Sequence, residues 1–146
     1  MAAYYNKPTA VAKLINSTIR QIAAIGLSPR DTVELRVRGR KSGKTRANVV
    51  TYVEHEGARY LVAPRGTTEW VRNVRTAGGE AWLKHGRSEG VRLAEIAEGE
   101  RAAIIHAYLQ KMPGMVQREF GVTKDSPMTE IERIASRHPV FKITNA

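Results

Sequence analysis

The residues best suited to chemistry are a run of cations set between glycines, Gly39-Arg40-Lys41-Ser42-Gly43-Lys44-Thr45. Three positive side chains and the open N–H groups of a glycine turn can converge on one phosphate or carboxylate. The run nearly matches the nucleotide-binding pattern G-x-x-x-x-G-K-[ST], but only three residues separate Gly39 from Gly43, where four are needed. The next stretch, Arg46–Glu54, reads as a strand, whereas such a loop opens a helix. A triphosphatase is therefore rejected. Taken alone, the run fits a solvated hairpin turn equally well.

It does not stand alone. Pro64-Arg65-Gly66-Thr67-Thr68 is a second short loop with a cation, a glycine and two hydroxyls, leaving a strand and entering a helix that carries Trp70 and Asn73. Helix N-termini favour anions through unpaired N–H groups and the dipole. Two such loops beside a tryptophan suit a long anionic ligand with an aromatic head. Other chemistry is missing. His55, His85, His106 and His138 are scattered, with none three or four residues from another, so no metal site is expected and the histidines are assigned no role. There is no G-x-S-x-G sequence and no cysteine, which excludes thiolate catalysis, disulfides and cysteine-held metals.

Several elements must position the two loops. Thr32–Arg38 alternates strictly, which predicts a strand with one buried face and one wet face. Arg46–Glu54 and Arg59–Ala63 continue as strands across the Glu56-Gly57 turn. Thr68 is the expected N-cap of a helix over Glu69–Thr76 with Trp70, Val71 and Val74 inward. Strands near Ala81–His85 and Ser88–Ile96 come next, then a helix over Glu98–Lys111 with Ala102, Ile105 and Leu109 aligned. A short helix over Thr129–Ser136 and a closing strand at Val140–Ile143 complete the pattern. Before all of these, Val11, Leu14, Ile15, Ile19, Ile22 and Ile25 form one stripe of a helix from Pro8 to Leu27, packed on the core or lying on a membrane surface.

These elements predict an α+β chain: a small antiparallel split β-barrel with N-terminal and C-terminal helices packed outside. The length of 146 residues suits one domain: a helix over 1–30, a barrel core over 31–97, and helices with the closing strand over 98–146. No secretory leader is read at the start, and no apolar run is long enough to span a bilayer, so a cytoplasmic protein is expected, with peripheral membrane association through the first helix. The net charge of +10, from 24 Lys and Arg against 14 Asp and Glu, predicts a polyanionic partner: nucleic acid, an acidic membrane surface or an anionic cofactor. Two Trp, five Tyr and two Phe, with no surface cluster to stack bases, argue against nucleic acid.

Three motifs in order, Val37–Arg46, Tyr60–Gly66 and Trp70–Arg75, resemble the deazaflavin-dependent nitroreductase family, oxidoreductases that use coenzyme F420. The match runs over about Thr32–Ile96. The resemblance implies the split barrel of flavin-binding reductases and a cofactor with a deazaflavin ring and a phosphate–polyglutamate tail, with FMN the less fitting cofactor. It implies that Arg40, Lys41 and Arg46, with Ser42 in the same turn, hold the phosphate and glutamates. Val62, Ala63, Arg65, Gly66 and Thr67, with Pro64 and Thr68 in the same loop, would lie against the deazaflavin and its ribityl-like chain. Trp70 and Asn73 would close that end. The reaction implied is hydride transfer from the reduced cofactor to an activated double bond, quinone or nitro group of a small apolar molecule. Such chemistry needs no protein nucleophile.

The segment Met112-Pro113-Gly114-Met115-Val116-Gln117-Arg118 departs from the family, because members that activate nitroimidazoles carry tyrosines there. Tyr108 lies one helical turn earlier, so the pocket candidates are Tyr108, Met112 and Met115. An alternative from another class is a barrel without catalysis that holds an apolar ligand such as a fatty acid at a membrane surface. A monomer or a homodimer is expected.

Overall fold

A computed structural model describes residues 31–146; the expected helix over Pro8–Leu27, and the segment 1–30 that contains it, lie outside the described residues. Six strands form a closed barrel: β1 (Thr32–Arg38), β2 (Thr45–His55), β3 (Ala58–Val62), β4 (Glu80–His85), β5 (Arg87–Glu95) and β6 (Val140–Asn145). Their order around the barrel is β1-β2-β3-β6-β5-β4, and every neighbouring pair is antiparallel. Closure leaves no strand edge unpaired.

The period-two pattern fixes which residues fill the barrel. Val33, Leu35 and Val37 of β1 point inward with Leu83, Val91, Leu93, Leu61 and Phe141. Helix α1 (Glu69–Thr76) crosses between β3 and β4 and inserts Trp70, Val71 and Val74 into the same cluster. The Trp70 and Phe141 ring centroids lie 5.7 Å apart. The opposite face of β2, β3 and β6 is apolar too: Val53, Val62 and Val140 pack beneath helix α2 (Arg101–Lys111) and helix α4 (Met128–Ile134). A single turn, α3 (Gly114–Gln117), links these two helices. Two cores therefore share one wall of the barrel.

The structure corrects the sequence at several points. The outer face of β1 is not wholly wet, since Glu34 is 1% exposed and pairs with Arg36 two residues along on the same face. Alternation reports only one buried face and carries no trace of cover on the other. Ala63 falls one residue beyond β3, in the loop, and β6 runs on to Asn145. The helix expected from Glu98 begins as a 3-10 turn, Glu98–Glu100, ahead of α2.

At Gly79 the backbone adopts φ +87°, and a Cβ there would stand 2.5 Å from the Leu93 carbonyl oxygen. The Gly79 carbonyl also accepts the Leu93 N–H at 2.8 Å, which pins the start of β4 to β5. Gly79→Ala thus meets left-handed strain and backbone overlap together, and it should cost at least about 2 kcal/mol. Urea unfolding should show the lower midpoint; the neighbouring Gly78→Ala, with open space at its Cβ, should cost less.

Candidate functional site

The two loops singled out in the sequence are brought together by α1. The first loop turns on Gly43 (φ +73°), whose N–H donates to the Gly39 carbonyl at 2.9 Å, while Gly39 N–H donates to the Lys44 carbonyl at 2.8 Å. Gly39 is buried, and a Cβ on it would stand 2.9 Å from the Lys44 carbonyl oxygen and 3.3 Å from Arg46 Cγ. Glycine is therefore required for the loop to close this tightly, with Arg46 folded over it. Ser42 Oγ accepts the Lys44 N–H at 3.2 Å. Lys41, Ser42, Lys44 and Arg46 are exposed.

Arg40 behaves differently from its neighbours. Its backbone N–H donates to Asn73 Oδ1 at 3.2 Å, and one guanidinium nitrogen, Nη1, donates to Asn73 Oδ1 at 2.8 Å and to Glu69 Oε2 at 2.7 Å. Arg40 therefore clasps the first loop to the first two turns of α1, and Asn73, 4% exposed, is the buried acceptor at its centre. The Arg40 hydrogen bond, with the nearby charges of Lys41 and Arg72, holds the Glu69 carboxyl below the usual carboxylate range.

The second loop leaves β3 at Ala63. Gly66 takes φ +83° and donates its N–H to the Ala63 carbonyl at 3.1 Å, and Thr68 N–H donates to the Gly66 carbonyl at 2.9 Å. Gly66 and Thr67 are buried, Pro64 and Arg65 half-buried. Thr68 occupies the N-cap position as expected, yet its hydroxyl makes no capping bond. Thr68 Oγ1 is buried with no hydrogen-bond partner among the described residues. Such an atom costs free energy unless a ligand or water completes it. An unsatisfied hydroxyl at the mouth of α1, the helix to which Arg40 ties the cationic turn, fits a ligand carrying hydroxyl and phosphate oxygens.

Other expected site residues are placed elsewhere. Val62 points away from the loops into the core beneath α2. Trp70 is 9% exposed and belongs to the barrel interior. Tyr108 is 4% exposed, 5.8 Å from the Phe120 ring, and burial pushes its hydroxyl pKa upward. It packs within the helical layer, with its ring against Phe120. Met112 is half-buried against the same layer, and the side chain of Met115 lies outside the described residues. The segment does pass near the second loop, because Glu119 pairs with Arg65 at 3.8 Å.

Two residues carried no indication of a role in the sequence. Gln117 is buried; its amide nitrogen donates to the Leu109 and Met112 carbonyls at 3.2 and 3.1 Å, and its oxygen accepts the Lys124 N–H at 3.0 Å. It closes the C-terminus of α2, a role only the fold discloses. His138 is 1% exposed, with Nδ1 2.9 Å from the Ala63 carbonyl oxygen and its ring 4.5 Å from Phe120. Among the described residues no group of acidic or histidine side chains could hold a metal ion, and no helix is long and apolar enough to cross a membrane.

A closed antiparallel barrel with α1 crossing between β3 and β4 is the architecture of a split barrel. The model of the F420H(2)-dependent quinone reductase family matches residues 16–129, and the chain belongs to that family. It is an oxidoreductase that uses reduced F420 and acts on small molecules. Solved structures of the same fold include an F420-H2 dependent reductase (FDR-A), 21% identical, with a TM-score of 0.51 over 79% of this chain and 95% of that one. A domain-swapped dimer is 20% identical, with a TM-score of 0.55 over 92% of this chain and 96% of that one. ChuZ of Campylobacter jejuni is 12% identical, with a TM-score of 0.50 over 79% of this chain and 48% of that one. No curated protein matches the sequence.

Burial drives the His138 pKa down to about 4, with the charges of Arg137 and Arg101 adding to the shift and the Ala63 bond opposing it. In the unfolded chain the ring titrates near 6.5. The unfolded state therefore binds the extra proton first as acid is added. The stabilisation is complete above pH 6.5 and is lost as pH falls from 6.5 toward 4, by up to about 3 kcal/mol. Urea unfolding across that range should show the loss, and His138→Asn should flatten it.

Proposed function

We propose that the Gly39–Lys44 turn and Arg46 take the anionic tail of F420 while the Ala63–Thr68 loop takes its deazaflavin end. The observation that carries this is the pairing of exposed Lys41, Lys44 and Arg46 with the unpartnered Thr68 hydroxyl, on two loops joined through Arg40 and Asn73. When bound, the deazaflavin supplies a hydride, so the reaction is a two-electron reduction. The protein's own residues bind and orient. Lys41, Lys44 and Arg46 neutralise phosphate and carboxylates; Ser42 braces their turn; Gly66 lets backbone approach closely; Thr68 offers a hydroxyl. Arg40 acts at one remove, since Glu69 and Asn73 already engage it. Trp70 and Asn73 hold α1 in place behind the loops.

This reading makes F420 the preferred cofactor over FMN, because the turn offers more charge than one phosphate needs. Fluorescence titration should give a tighter constant for F420 that weakens as salt rises. Lys41→Ala and Arg46→Ala should each weaken it by about 1–3 kcal/mol without changing the unfolding midpoint. Equal constants for both cofactors, or no salt dependence, would remove the basis of the assignment.

The substrate is an electron-poor apolar acceptor, a quinone or an enone. The described part of Met112–Arg118 offers no hydroxyl donor, and Tyr108 is packed away against Phe120. Reduction of a polar nitro group would want such a donor, whose loss can cost a hundredfold or so in rate. Steady-state kinetics with reduced F420 should show quinone turnover well above that of nitroimidazoles. Faster nitroimidazole turnover would contradict the substrate class.

A further inference from the structure

Ala63 is where the chain leaves the barrel for the second loop, and two consecutive residues of the C-terminal turn hold both of its backbone polar groups. Its N–H donates to the Pro139 carbonyl at 3.0 Å, and its carbonyl oxygen lies 2.9 Å from His138 Nδ1. A carbonyl can only accept, so Nδ1 carries the proton and donates. The same carbonyl accepts the Gly66 N–H at 3.1 Å, the bond that makes the loop turn. His138 is thus bonded to the one atom about which the loop folds back. It cannot swing aside, because the ring is 1% exposed and wedged 4.5 Å from Phe120, itself 5.8 Å from Tyr108. A second tie runs parallel, from Glu119 beside Phe120 to Arg65 in the loop.

We propose that His138 is a positioning residue: its Nδ1–H bond to the Ala63 carbonyl sets the loop Ala63–Thr68 so that Gly66, Thr67 and the Thr68 hydroxyl meet the deazaflavin end of the cofactor. The proposal rests on the reading of that loop as the deazaflavin site. It also ties the helical layer to the site, since Phe120 presses the imidazole into its bond. A histidine that merely filled the core would be replaced equally well by any side chain of similar volume. One that positions the loop requires a donor at the place of Nδ1.

The test compares His138→Asn, whose amide nitrogen stands where Nδ1 stands, with His138→Gln, whose amide nitrogen reaches the place of Nε2, and with His138→Leu. Each full-length variant is titrated with F420 and with a deazaflavin riboside lacking the phosphate and tail. The Asn variant should bind both within about threefold of the unaltered protein, while Gln and Leu weaken both by the same factor, about tenfold or more. Lys41→Ala should weaken F420 alone. Should the Leu variant not fold, the Asn–Gln comparison still decides. Equal binding by Asn and Gln, or a loss confined to the tailed cofactor, overturns the positioning role. Failure of the unaltered protein to bind either deazaflavin overturns the loop assignment itself, an outcome distinct from normal binding by His138→Gln.

Discussion

The insertion of β6 between β3 and β5 is the constraint on which everything else hangs. Without it, β3 and β5 would present open edges and Phe141 would leave the centre of the barrel core. The inserted strand comes from the far end of the described chain, so all that intervenes must deliver it in register. The helical layer does this by packing on Val53, Val62 and Val140, one wall shared with the barrel interior. The last residues before the strand, His138 and Pro139, then reach the backbone of Ala63. Closing the barrel and fixing the second loop are thus one structural event.

The basic composition resolves into cations with different work. Arg59 meets the Glu89 carboxylate through two nitrogens, at 3.2 and 2.8 Å; Arg75 does the same with Glu95, at 2.8 Å for both bonds; and Arg101 reaches Glu95 at 3.0 Å. Glu95 accordingly links α1 to α2. Arg40 is committed to Glu69 and Asn73. Lys41, Lys44 and Arg46 remain exposed around one tight turn, which is the condition for binding a mobile anionic tail: charge presented by a rigid backbone, with little ordering left to do.

Much of this was legible in the sequence, for a local reason. Alternation at Val33, Leu35 and Val37, glycines at turns, and Thr68 ahead of Glu69 are properties of neighbours along the chain. The three spaced motifs led to the family, and with it to the split barrel. Partners far apart in sequence were not legible. Nothing near Arg40 names Asn73 as its acceptor, and nothing near His138 names Ala63. Glu34 occupied a position that alternation assigns to solvent, yet it is buried and paired with the more exposed Arg36. Tyr108 looked available because it stood one turn from a substrate segment, but its helical phase turns it toward Phe120.

The two residues missed, Gln117 and His138, share with Asn73 a feature of mechanistic weight. All three are buried polar groups bonded to backbone outside their own element. Apolar packing tolerates small shifts, because it is non-directional; a buried hydrogen bond does not, because a displaced partner leaves an unsatisfied group at a cost of about 1–3 kcal/mol. The barrel is held mainly by apolar burial and ladder bonds, whereas the loops beside it are located by such directional bonds. A hydride donor must be oriented against its acceptor to a fraction of an ångström, and a misplacement of about 1 Å can cost a hundredfold in rate. On the proposed site, that precision would be supplied where the loops join the scaffold: Asn73 holds the first loop to α1, and His138 holds the second to the turn that delivers the closing strand.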